Sequence, residues 1–133
     1  MLATAGDRLA LMRNLWTAVG DASPFEIETL SLWEVHVGGH MVAIVAFDPD
    51  DRRAASVGMF ERWARSDAAR WMAPKGIEFR RALNNRALER VRAVLPPDDF
   101  VFHDHRRPGA GRLDGADDVA RARFEEHCRA ERT

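Results

Sequence analysis

FEIETLSLWEVHVGGHMVAIVAFDPDD, residues 25–51, ends in a change of period, and that change decides the fold class. Up to Phe47 the apolar residues are largely β-branched or aromatic and are punctuated by turn formers, the pattern of strands. VHVGGHMV is a hairpin signal around Gly38-Gly39. Phe25 and Ile27 alternate with Glu26 and Glu28, whereas Leu30 and Leu32 slip out of phase with Trp33, Val35 and Val37, so a bulge is expected near Thr29–Ser31. MVAIVAF is apolar on both faces and predicts a central strand covered on both sides. Beyond FDPDD the period becomes 3.6. Asp50 or Asp51 can cap a helix in which Ala55, Met59, Phe60 and Trp63 share one face and Arg52, Arg62 and Arg65 lie outside it.

Outward from this stretch, residues 9–16 read as a further strand before the turn GDASP (20–24), giving three antiparallel strands within 1–48. On the other side, Pro74 and Gly76 interrupt the helical pattern. A second helix follows, with Phe79, Leu83, Leu88, Val91 and Leu95 as its apolar stripe, ending before Pro96-Pro97. DDFVFHDHR is a strand, RPGAG a turn, RLDG a short strand, and a last helix runs from about Asp114 to Arg129. Strands come in one run and helices in another, which argues an α+β fold with helices on one face of an antiparallel sheet. Long strands occupy 1–48, helices 52–95, and hairpin plus last helix 98–133, in a single expected domain over 1–133.

Composition narrows the function classes. With 46 % hydrophobic and 31 % charged residues and a formal net charge of −1, the chain reads as neither disordered nor a general polyanion binder. Eleven basic against five acidic residues between Asp51 and Arg92 read as an arginine-studded solvent face; nucleic acid is not an expected partner, because no exposed aromatics or reading helix accompany them. The single Cys128 has no partner for a disulfide, and no CxxC or Cys/His spacing suggests zinc; neither metal nor cofactor is expected, and a reducing, cytoplasmic setting is. MLATAGDRLALMRNLW lacks the unbroken apolar core of a signal peptide, and no run approaches the roughly 20 residues of a membrane span, so no membrane partner is expected.

ALNNRALERVRAVLPPDDFVFHDHRRPGAGRLDGADD (82–118), with LATAGDRLALMRN (2–14) and LWEVHVGGHMVAIVAFDPDD (32–51), resembles the SnoaL-like branch of the nuclear transport factor 2-like superfamily. This cystatin-like cone is shared with ketosteroid isomerase and scytalone dehydratase. The resemblance implies a curved antiparallel sheet with about three helices on its concave face. Ala87-Leu88 stand where such sequences usually carry Asp-Trp. The order also departs from the family, whose helices and hairpin precede the long strands. Three arrangements account for the reversal: a circular permutant, an exchange of halves between two identical chains, or a piece of a tandem array. The first two are preferred, since 133 residues hold a nearly complete set of elements. A homodimer is expected, its halves either exchanged or each self-closed with sheet faces in contact, because residues 1–48 alone leave two apolar faces wet and the acidic, then helical connector FDPDDRRAAS is stiff.

The resemblance also implies an apolar pocket for a small apolar or carbonyl-containing molecule, in an enzyme of isomerase, cyclase, dehydratase or hydrolase type. Strand alternation puts Phe100, Phe102 and Asp104 on one face and Val101, His103 and His105 on the other. Two aromatics favour the first as the inner face, with Asp104 as the proton-transfer carboxylate and His103 or His105 in that role if the phase is reversed. Trp33, Trp63, Phe79, Leu83, Phe100 and Phe102 are the expected pocket lining. Asp104 beside Arg106 and Arg107 reads equally as a strand-end ion pair, and a non-catalytic ligand-binding or dimerisation module derived from a longer regulatory protein stays open beside the enzyme.

Overall fold

The computed structural model describes residues 1–18, 24–95, 100–105 and 111–130. It is α+β, and the chain divides into two compact units, Met1–Trp71 and Met72–Thr133. In the first, β1 (Ala3–Ala5), β2 (Leu9–Ala18), β3 (Phe25–Val35) and β4 (Met41–Phe47) form an antiparallel sheet in the order β1-β2-β3-β4, followed by α1 (Arg52–Ala64) and a 3-10 turn at Asp67–Ala69. β1 adds a short edge strand to the three expected ones.

Two expectations for the strands are corrected. The pairing of β2 with β3 is unbroken from Leu9 opposite Glu34 to Ala18 opposite Phe25, and the register shift lies instead at Glu34/Val35, beside the hairpin. There the His36 N–H donates to the His40 carbonyl at 2.7 Å, and Gly39 takes a φ of 82° that a side chain would strain. The apparent slip at Leu30 has another cause: the two faces of β3 are apolar over different lengths. β4 is an edge strand of this sheet, not a central one, and Val42 and Ile44 are exposed.

α1 lies on one face because its cap and its spacing agree. The Asp51 carboxylate accepts from the Ala54 N–H at 3.0 Å, and Ala55, Met59 and Trp63 then descend on Leu9, Leu11, Leu30 and Leu32. Close approach is possible at Gly58, where a Cβ would stand 3.2 Å from the Phe47 ring. Phe60 is half-buried, its ring tilted against Trp63 at 5.9 Å. Arg62, expected outside, pairs with Glu34 of β3.

The second unit holds α2 (Pro74–Asn84), α3 (Leu88–Val94), the hairpin of β5 (Val101–Asp104) and β6 (Gly111–Asp114), and α4 (Ala116–Ala130). The single helix expected over Phe79–Leu95 is therefore two. Asn84 and Asn85 are weak helix formers, and Arg86 turns left-handed at φ 53°. The Ala87 N–H then reaches the Ala82 carbonyl at 2.9 Å and the Arg86 N–H the Leu83 carbonyl at 3.0 Å, the paired bonds of a Schellman stop. Ala87 precedes α3 as its cap residue and supplies no side-chain hydrogen bond. Ala82, Leu83, Val91 and Ala120 are the core, flanked by Phe79, Leu88, Leu95 and Phe124. Among the described residues no helix is long and apolar enough to cross a membrane.

Leu32 is 1 % exposed under α1, whereas Leu15, on the same face but beyond the helix, is 62 % exposed. Leu32→Ala is expected to lower stability by about 2–5 kcal/mol and Leu15→Ala by no more than about 0.5 kcal/mol, read from urea unfolding midpoints. Equal losses would show that α1 does not provide the cover.

Candidate functional site

Side chains of a strand point alternately to the two faces, and cross-strand partners share a face, so the register assigns every residue of β2 to β4. Leu9, Leu11, Leu30, Leu32, Val45 and Phe47 face α1. Met12, Asn14, Trp16, Phe25, Ile27, Thr29, Ser31, Trp33 and Ile44 face the other way. All the ionisable residues of these strands, Arg13, Glu26, Glu28 and Glu34, fall on the α1 side. Arg13 bonds to Glu28 there, and that hydrogen bond holds the Glu28 carboxyl below its ordinary range. The opposite face thus carries no charge, although 31 % of the chain is charged.

This reverses the usual division, in which the uncovered face of a sheet is the polar one. Trp16, Phe25, Ile27, Val42 and Ile44 are between 51 % and 58 % exposed. Between them runs a strip of hydroxyl and amide groups. Asn14 Nδ2 donates to Ser31 Oγ at 2.8 Å, Trp16 Nε1 donates to Thr29 Oγ1 at 3.3 Å, and the two hydroxyls lie 3.5 Å apart. Ser31 is buried in spite of its polarity, satisfied by Asn14. Trp33 packs on this face with its indole N–H buried and without an acceptor among the described residues.

Nucleophilic attack by Ser31 or Thr29 needs a neighbouring base to accept the proton, and among the described residues of β2 to β4 no carboxylate or imidazole lies on their face. The features suit an apolar surface on which Asn14, Trp16, Thr29 and Ser31 are bonded to one another and the Trp33 indole N–H alone of these groups is buried without a partner among the described residues.

The expected site residues are distributed as follows. Trp33 and Trp63 belong to the first unit but to opposite faces of its sheet, Trp63 within the α1 core. Phe79 and Leu83 come together in the core of the second unit. Phe100 and Phe102 are half-buried, and the Arg123 guanidinium of α4 lies 5.4 Å above the Phe102 ring. Val101, His103 and His105 are exposed, the two imidazoles stacked at 6.1 Å. The Asp104 backbone pairs with Gly111, and its side chain, like Arg106 and Arg107, lies outside the described residues. Among the described residues no three of His, Cys, Asp and Glu gather as metal ligands. An open cavity of about 360 Å³ in the first unit is lined by Asp7, Arg8, His36, Asp67, Arg70 and Trp71, a mixed set with no dominant charge.

The uncharged face escaped the sequence reading although its signal was present. Phe25, Ile27 and Trp33 keep one alternation, and Leu30 and Leu32 belong to the opposite one. Compared with protein-family models, with curated proteins and with solved structures, the chain matches none.

Within the hairpin, a hydrogen bond from Arg112 draws the Asp114 carboxyl below its ordinary value of 3.8, with the charges of Arg112 and His103 acting in the same direction. A carboxyl depressed on folding adds stability above its unfolded pKa and loses it as pH falls through the folded one. Asp114→Asn is therefore expected to unfold at lower urea than the parent at pH 7, with the gap closing as pH drops below 3.8. A gap independent of pH would assign the loss to packing.

Proposed function

We propose that the chain is a SnoaL-like module of the cystatin-like cone type, with its halves in reversed order, whose role is non-catalytic association through the uncharged face of its sheet. The observation that carries the reading is that face itself: exposed aromatic and aliphatic side chains surround a strip of polar groups bonded among themselves, with every strand charge turned to the opposite side. Desolvating such a surface leaves few hydrogen bonds unmade, so its burial is favoured. The family likeness of 2–14, 32–51 and 82–118 supports the fold part of the reading. The exposure of His103 and His105 supports the non-catalytic part, since a proton-transfer base works best when water is excluded around it.

Incubated in D2O with a panel of small ketones and esters, the chain is expected to leave deuterium uptake beside the carbonyl at the buffer rate. Uptake above buffer that Asp104→Asn or the double variant His103→Ala/His105→Ala abolishes would overturn the reading in favour of an isomerase-type enzyme.

A further inference from the structure

We infer that His103 and His105 form a two-imidazole chelate for a divalent metal ion of the zinc, nickel and copper class, on the solvent face of the β5–β6 hairpin. The site belongs to the second unit and does not depend on the association face of the first.

The hairpin register sorts the side chains of both strands. Val101, His103, Arg112 and Asp114 share one face and are all exposed, whereas Phe102 and Leu113 are half-buried on the other, where Arg123 of α4 lies over the phenylalanine ring. Packing against α4 therefore holds one face of the ribbon and leaves the histidine face to water. His105, one residue past the end of β5, keeps the alternation: its ring lies 6.1 Å from that of His103, with the two planes 7° apart. Two nitrogens bound to one zinc ion at 2.0–2.1 Å stand about 3.3 Å apart, and exposed side chains reach that spacing by rotating about their own bonds, with the strand left in place.

Both imidazoles are available as ligands, since neither is hydrogen-bonded among the described residues. His36, by contrast, has its Nδ1 occupied by the Gly38 N–H at 3.3 Å. Arg112, opposite His103 in the ladder, carries a charge that would repel a metal ion, and Asp114 offsets it, its Oδ1 lying 2.9 Å from Nε and 2.8 Å from Nη2. An incoming cation meets a balanced ion pair instead of a bare guanidinium.

The donor atoms select the metal. Neutral imidazole nitrogen suits zinc, nickel and copper, whereas magnesium and calcium take oxygen ligands. A third protein ligand is not required for a chelate. Two nitrogens leave the remaining positions to water, so binding is weaker than at a closed four-ligand site.

Zinc chloride titrated into the full chain, with each histidine ring followed by proton–nitrogen correlation NMR, tests this. Following the rings one by one keeps any binding at Cys128 from being mistaken for this site. The His103 and His105 rings are expected to shift together along one binding curve, half-saturated at roughly 10–100 µM zinc. In His103→Ala and in His105→Ala, each checked for folding by far-ultraviolet circular dichroism, the remaining ring is expected to need at least ~10-fold more zinc, because half of the chelate is gone. Should a variant not fold, the parent titration decides alone. Rings that stay unmoved at about 1 mM zinc, that titrate with separate midpoints, or that move equally with magnesium chloride would overturn the inference. An unchanged midpoint in the alanine variants, or a matching response from His36 and His40, would overturn it as well.

Discussion

The unbroken pairing of β2 with β3 is the constraint on which the first unit depends. From Leu9 opposite Glu34 to Ala18 opposite Phe25, a one-residue slip anywhere would exchange the faces of every residue beyond it. The register delivers Leu9, Leu11, Leu30 and Leu32 to α1 as one buried cluster. It delivers Arg13, Glu28 and Glu34 to the same side, where the helix no longer covers them or where Arg62 meets them. The remaining face is uncharged because these residues have all been placed elsewhere.

The second unit depends on local backbone chemistry. The Schellman stop at Arg86 ends α2, and the short α3 that follows brings Val91 against Leu83 and Ala120. Arg92, bonded to Glu89 of its own helix and 3.1 Å from Asp117, ties α3 to the start of α4. The Gly115 N–H, donating to the Phe100 carbonyl at 2.9 Å, closes the hairpin just before that helix.

Exposed apolar surface of this extent is a liability unless something covers it. The strip of bonded hydroxyl and amide groups limits that liability, since it interrupts the apolar area and gives the strands polar contacts that do not depend on a partner. Binding residues on a sheet face also differ from those on loops. Their spacing is set by the ladder, so a partner meets a surface that needs little ordering.

Much of the architecture was legible in the residues alone. The period change at FDPDD, the Gly-Gly hairpin, the Asp51 cap and the last helix are local events, governed by turn chemistry, capping and spacing within a few residues. The break between α2 and α3 was local too, but an apolar stripe running through Asn84-Asn85-Arg86 concealed it. Whether MVAIVAF is central or edge, and which of two apolar faces lies under a helix, are decisions that no single strand contains. Tertiary structure made them, because α1 packs on one face of the sheet, and the strand order left Val42 and Ile44 at its rim. The same holds for His103 and Phe102. Their alternation was in the sequence, but which of them faces a helix was decided only when Arg123 of α4 settled over the phenylalanine ring.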